Sequence, residues 1–317
     1  MTTRIFLFLA VFFSATFSFA QGFELTAGLT PPNQQKTVLR YSGSFYDKTD
    51  FPQERANITQ QGLAFSTPIY LTEDSSIAFA GRGDQLKVNP AQGGFSELYD
   101  IEFGMTYTKL LGEKKLWAVT GSYGSASDKP FYTPDVSTVG FTFMYMEPKD
   151  EKSSWLYLVN YSNNRPILNN IPLPGFAYFY TPSKEFRAVL GVPFASIYWQ
   201  FVDKWSWNFF TLFPWVIKTS INYSIAGPMQ AYFGLDFSQE TYYMYGRENK
   251  EDRLFYDEKK FFVGFKSPIS QYVMADLEAG HAFDRSFFVA ENYEREPSNP
   301  LEIGNAFYLK LNLSARF

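Results

Sequence analysis

Apolar and polar residues alternate with a period of two along most of the chain. Segment 307–317 reads FYLKLNLSARF, in which every second residue from Phe307 is apolar and the residues between them are mostly polar. The same alternation recurs in 99–108, 139–145 and 231–237. Because successive side chains of a β-strand point to opposite faces, this pattern predicts amphipathic strands. One face of each strand is apolar and aromatic, and the other carries small, polar and charged residues.

The abundance of apolar, aromatic faces changes the interpretation from a soluble sheet to a membrane protein. Aromatic residues make up 20% of the chain, with 35 Phe and 22 Tyr. After residue 20 the sequence has no run of 18 or more apolar residues, which argues against a membrane-spanning helix. A closed barrel satisfies all backbone hydrogen bonds without free edges. We therefore predict an all-β fold, a single antiparallel transmembrane β-barrel of about 14 strands within a range of about 12 to 16.

The strand count depends on segment 176–191, FAYFYTPSKEFRAVLG. It reads as a hairpin around TPSK, which either adds two wall strands, giving about 16, or folds into the mouth of the barrel. Short turns such as 111–114 and 226–228 alternate with long connections. Short periplasmic turns and long extracellular loops are typical of outer-membrane barrels. The predicted long loops are 83–96, 125–135, 163–175, 239–257 and 284–303.

The first 20 residues, MTTRIFLFLAVFFSATFSFA, have the features of a secretory signal peptide. A basic residue, Arg4, precedes an apolar core, and small residues at 18 and 20 form a cleavage site. We predict a signal peptide at 1–20, a loose periplasmic lead-in at 21–36 and the barrel at 37–317. The chain has no Cys, which excludes disulfides and a lipid anchor on Cys. Removing 1–20 changes the formal net charge from −4 to −5, so nothing favours a nucleic-acid partner.

The last strand is similar to the assembly signal of bacterial outer-membrane barrels, which alternates apolar residues and closes on an aromatic residue. We expect it to engage the barrel-assembly machinery, and we place the protein in the outer membrane of a Gram-negative bacterium. Both termini should be periplasmic, and membrane lipid and lipopolysaccharide should surround the wall. The assembly residues are Phe307, Leu309, Leu311, Leu313 and Phe317.

Two further sets of residues follow from the strand pattern. Trp residues beside the short turns predict an interfacial aromatic belt, formed by Trp117, Trp155, Trp199, Trp205 and Trp207, with Trp215 in a second belt at the other interface. The charged residues on the polar face of the alternating strands are predicted to line the lumen. They are Arg40, Arg82, Asp100, Glu102, Lys218, Asp236, Lys260, Lys266, Asp276, Glu278 and Lys310.

A charged lumen favours a passive, porin-like channel or a transport barrel that binds an unidentified small solute. The alternative is a structural or surface-recognition barrel with an occluded interior, whose loops bind an extracellular partner. The loop 163–176 is rich in Pro and apolar residues, so it could tuck into the mouth as a constriction, or contact another loop or lipopolysaccharide.

Enzymatic chemistry is not favoured by the sequence. The only His, His281, lies five residues from Ser286, a spacing that places the two side chains on opposite faces of a strand. The acidic segments 248–253 and 291–296 include basic residues and lack the spacing of a calcium loop. We predict no catalytic residue, no metal site and no cofactor.

Segment 178–207 carries three short motifs, Tyr180-Thr181-Pro182, Gly191-x-Pro193 and Asp203-Lys204-Trp205. With these motifs and its last strand the chain resembles a family of uncharacterised bacterial outer-membrane β-barrel proteins, a domain of unknown function. The resemblance covers most of the mature chain. It implies the fold and the location, and it supplies no catalytic or binding residues.

Overall fold

The computed structural model describes residues 29–317 except 53, 113–114, 167, 214–215 and 294–299, so the predicted signal peptide lies outside the described residues. Within the described residues, one antiparallel sheet closes on itself. Its strands are β1 (Val38–Tyr46), β2 (Thr49–Asp50), β3 (Arg55–Leu71), β4 (Ser75–Gln92), β5 (Phe95–Leu111), β6 (Lys115–Ser127), β7 (Thr138–Pro148), β8 (Ser153–Ser162), β9 (Leu173–Tyr180), β10 (Phe186–Val192), β11 (Phe194–Val202), β12 (Trp205–Leu212), β13 (Val216–Ala226), β14 (Met229–Tyr242), β15 (Arg253–Pro268), β16 (Val273–Ala290), β17 (Leu301–Ile303) and β18 (Ala306–Arg316).

The predicted antiparallel barrel is confirmed, and the part of the chain that the structure describes forms a wall of 16 strands. β18 pairs with β1 from Val38↔Arg316 to Tyr46↔Tyr308, and β1 pairs with β3, which closes the ring. β2 and β17 are short additions at the rim of two and three residues. Segment 176–191 forms the wall hairpin of β9 and β10, so the estimate of 14 strands missed this pair. No helix among the described residues is long and apolar enough to cross a membrane.

The wall has an apolar outer face and a mixed inner face. Phe141, Phe233 and Leu277 are exposed on the outside, whereas their neighbours Thr142 and Asp236 are buried inside. A charge on a lipid-facing strand near the midplane costs about 2–4 kcal/mol, and the outer face of the central strands carries aromatic and aliphatic residues instead.

The wall is much taller on one side than on the other. β3, β4 and β5 have 17, 18 and 17 residues, whereas β9, β10 and β12 have eight, seven and eight. Much of the sequence predicted as long loops is therefore strand. Residues 83–92 belong to β4, and only 93–94 separate β4 from β5. A transmembrane strand needs about 9–11 residues, so the tall strands extend well beyond a bilayer.

At the long-loop end, the tall strands close among themselves through what we call the clasp. The amide of Tyr243, just after β14, donates to the carbonyl of Ala126 on β6 over 2.7 Å, and Ser127 and Tyr243 form an isolated β-bridge. The amide of Tyr245 donates to Asp128 Oδ1 over 2.7 Å. Strands β6 and β14 lie on opposite sides of the short strands β7–β13, so the clasp spans the mouth above them.

Two apolar clusters fill parts of the interior. The first lies under the clasp and includes Tyr46, Leu98, Tyr242 and Phe287. The second lies on the inner face of β6–β12 and surrounds Leu29. Its other buried members are Leu116, Ala118, Met144, Met146, Leu156, Leu158, Ala177, Phe179, Val189, Phe194 and Phe210. In the part of the predicted lead-in that the structure describes, 29–36, Leu29 packs against the inner face of the barrel.

Candidate functional site in the barrel interior

The five predicted belt residues lie on the outer face near the short turns. Trp199 and Trp207 are cross-strand partners on β11 and β12. The Trp205 ring lies 4.9 Å from Tyr223, and the Trp117 ring lies 5.3 Å from Tyr107. The Trp155 ring is 4.8 Å from Tyr178. Trp215 lies outside the described residues.

Lysines dominate one interior surface, which we call the basic wall and define as Lys218, Lys260, Lys266 and Lys310 on β13, β15 and β18. Lys218 Nζ lies 3.5 Å from Asp236, and Lys266 Nζ lies 3.7 Å from Asp276. The Lys218 side chain is 27% exposed against 6% for Asp236, and Lys266 is 28% exposed against 18% for Asp276. Lys218 and Lys266 are therefore more exposed than their acidic partners, whereas Lys260 is buried, at 8% exposure.

Tyrosines explain why the carboxylates of this surface are withdrawn. The Tyr308 hydroxyl donates to Glu278 Oε1 over 2.7 Å, and the Tyr232 hydroxyl donates to Asp276. The Tyr232 ring lies flat over Gly264, where an added Cβ would come within 2.2 Å of the ring. Hydrogen bonds from these hydroxyls satisfy the carboxylates close to the sheet, so the longer lysine side chains reach further into the interior.

The opposite arrangement occurs on β4 and β5, on a surface that we call the acidic wall: Asp84, Asp100 and Glu102. Arg82 contacts all three carboxylates, at 3.5 Å to Asp84, 2.8 Å to Asp100 and 2.9 Å to Glu102. The Arg82 side chain is 8% exposed, whereas these carboxylates are 26%, 19% and 21% exposed. One buried cation is thus covered by three more exposed acids.

The structure also brings together ionisable residues that sequence reasoning missed. Glu258 on β15 contacts Lys260 at 2.8 Å and Arg285 at 3.3 Å. It also accepts hydrogen bonds from Tyr46 at 2.8 Å and Tyr256 at 3.0 Å. Glu258 lies two residues from Lys260 and therefore on the same face of the strand, so the alternating pattern could have identified it as a lumen residue. The remaining predicted lining residue, Arg40, lies on β1 opposite Ser314 of β18.

His281 lies on the outer face of β16, among aromatic rings. Its ring is 5.0 Å from Phe307 and 6.5 Å from Phe283. Ser286 pairs with Asp257 of β15 further along β16. Within the described ranges, no group of three or more His, Asp or Glu residues is placed to hold a metal ion.

The loop 163–172, apart from residue 167, which lies outside the described residues, carries two exposed apolar side chains. Leu168 and Ile171 are exposed. The loop is held by buried Arg165, which donates to Asn160 Oδ1 over 2.6 Å and to the carbonyl of Ile171 over 3.1 Å. The Tyr243 hydroxyl of the clasp donates to the carbonyl of Asn163. The constriction of the mouth by this loop stays a prediction.

Comparisons with known proteins return solved structures at low identity. No protein-family model matches the chain, and no curated protein matches it. An outer membrane channel from Pseudomonas putida F1 aligns over 89% of this chain and 94% of its own, at 12% identity and a TM-score of 0.35. A Pseudomonas aeruginosa FadL homologue aligns over 92% and 93%, at 10% identity and a TM-score of 0.38. The Pseudomonas putida toluene transporter TodX aligns over 92% and 91%, at 7% identity and a TM-score of 0.39.

Proposed function

We propose that the protein is a bacterial outer-membrane barrel through which a small solute passes, or in which it binds. The observation that carries this proposal is the partial exposure of charged side chains inside the barrel. Lys218, Lys266 and Asp84 each keep about a quarter of their side-chain surface exposed. Charges that only hold a wall together can be packed away from water when they are paired, as Lys260 and Glu258 are at 8% and 1% exposure. Accessible charges of both signs suit a hydrated, solute-selecting interior.

The proposal includes the environment of the barrel. The exposed aromatic outer face supports a lipid surround with lipopolysaccharide on the outer leaflet, and the residues on the outer face of β18 support engagement of the assembly machinery. Phe307 and Leu309 are exposed there, and Phe317, directly after β18, is exposed as well. A periplasmic position of the short turns, membership of the resembled barrel family and cleavage after residue 20 belong to the same proposal. Fractionation of the expressed protein, with N-terminal sequencing of the mature form, tests location and cleavage together.

A second candidate is a recognition barrel with an occluded interior. Two observations favour it, the apolar cluster under the clasp and the packing of Leu29 against the inner face. In this case the long-loop end, held together by the clasp, would be the functional surface. An enzymatic role for the barrel is not part of either proposal.

Reconstitution separates the two candidates. Purified full-length protein is inserted into planar lipid bilayers and into liposomes, with heat-denatured protein as the control. If the protein is a channel, we expect stepwise ionic current across the bilayer and swelling of the liposomes in solutions of small polar solutes. Correctly folded protein, judged by its far-UV β-sheet signal, that gives neither current nor swelling would overturn the channel and favour the recognition barrel.

A further inference from the structure

The charges inside the barrel are sorted by sign between two walls. On β13 and β15, Lys218 and Lys266 are more exposed than their acidic partners, and on β4–β5 the acids are more exposed than Arg82. Tyrosine hydroxyls donate to Asp276 and Glu278 on the basic side, and Glu278 is buried there. A solute inside the barrel therefore meets a basic surface on one side and an acidic surface on the other.

The two walls are close enough to act on the same small molecule. In the ring of strands, β1 and β3 alone separate Lys310 on β18 from Asp84 on β4. Strand β14 also approaches β5 and β6 across the interior, where the amide of Tyr243 bonds to Ala126. The clasp thus draws the two sides of the ring together, so the space between the walls is narrower than an open 16-stranded barrel would provide.

We infer that the solute accommodated between the acidic and basic walls is a zwitterion of amino-acid size, with its ammonium group toward Asp84, Asp100 and Glu102 and its carboxylate toward the lysines. The inference rests on the proposed function, since it names the class of solute for the same interior. A simple anion would be attracted by one wall and repelled by the other, and so would a simple cation. A neutral polar solute would interact only weakly with either wall. A zwitterion aligned between the walls interacts favourably with both.

The matched probes are glycine and glycolamide, which have the same molecular formula but differ in charge separation at neutral pH. Liposomes containing the full-length protein are transferred into isosmotic solutions of each solute, and the swelling rate is recorded by light scattering. Two solvent-accessible charge contacts of about 0.5 kcal/mol each correspond to roughly fivefold faster swelling in glycine. The comparison uses the unaltered protein and therefore does not depend on the folding of any variant.

A variant pair then assigns the selectivity to the walls. Lys218→Gln combined with Lys310→Gln removes charge from the basic wall and should reduce the ratio of the glycine rate to the glycolamide rate toward one. The control Lys259→Gln removes an outer lysine that pairs with Asp284 and should leave the ratio unchanged. Equal rates for the two solutes in the unaltered protein would overturn the inference while leaving the proposed channel intact. Swelling in neither solute, together with absence of ionic current, would overturn the channel itself.

Discussion

The interior of this barrel has two halves that differ in chemistry, although one alternating pattern builds the wall around both. The half formed by β6–β12 is lined by an apolar cluster, into which Leu29 packs. The half formed by β13–β18 and β1–β5 carries the charged walls and their tyrosine partners. The difference shows that alternation fixes only which side chains face inward. The identity of those side chains decides whether one half of the interior packs a segment of the chain, as at Leu29, or exposes charged groups.

The largest expected effect comes from the centre of the charged half. Glu258→Ala would leave Lys260 and Arg285 buried without the carboxylate that contacts both. Removal of one partner from a buried ion pair costs about 3–5 kcal/mol, so the free energy of unfolding in lipid vesicles should fall by about that amount. Urea titration followed by tryptophan fluorescence measures the change.

A matched control for that variant is Glu147→Ala, which removes an exposed carboxylate paired with Lys115 at 2.8 Å. Its effect should be far smaller because water solvates both groups. If the two variants lost equal stability, the charged half would not be organised around Glu258.

The next prediction concerns the apolar half. Leu29→Ser should release segment 29–36 from the inner face, because a buried leucine contributes about 1.5–3 kcal/mol. We expect faster proteolysis within this segment and little change in the unfolding of the wall itself. Mass spectrometry of limited digests locates the cleavage. Asn33→Ser, at an exposed position of the same segment, is the control. Equal protection in both variants would show that Leu29 does not anchor the segment.

Ion selectivity gives a smaller effect that compares the two charged walls directly. Lys218→Gln should shift the reversal potential in a KCl gradient toward cation selectivity, and Glu102→Gln should shift it toward anion selectivity. Each change removes one accessible charge, so we expect about a twofold change in the permeability ratio at low salt. Shifts of the same sign in both variants would contradict the sorting of charge between the walls.

The smallest effect is expected at the surface of the clasp. Asp135 pairs with Lys250, and this contact lowers the pKa of the Asp135 carboxyl below its usual value. A lowered pKa means that the contact is complete above the ordinary value of about 3.9 and weakens as the pH falls through the lowered one. Carboxyl titration by NMR should show this shift, and Lys250→Gln should return the pKa of Asp135 toward its ordinary range. An unchanged pKa in that variant would assign the shift to another group.

The sequence was sufficient for the fold because alternation is a local property of each strand. Phe141 and Phe233 face outward and Asp236 faces inward, as their parity predicts. The lengths of the strands and the contacts inside the barrel could not be predicted from the sequence and required the structure. The sequence predicts a loop at Asp84, since no local pattern distinguishes a strand that continues past the membrane from a loop. Arg285 follows Asp284, whose positive φ of 48° and the irregular pairing nearby change the direction of later side chains. The contact of Ala126 with Tyr243 joins segments more than a hundred residues apart and has no local signature.

The central claim is that lipid covers one face of the wall while water reaches the other, and cysteine labelling tests it most directly. The native chain has no Cys, so a single Lys218→Cys or Phe233→Cys substitution gives one reactive thiol on adjacent strands. In liposomes, a water-soluble maleimide should label the variant at 218 rapidly and the variant at 233 hardly at all. Rapid labelling at 233 with protection at 218 would contradict the account, because it would place water on the aromatic face and exclude it from the charged one.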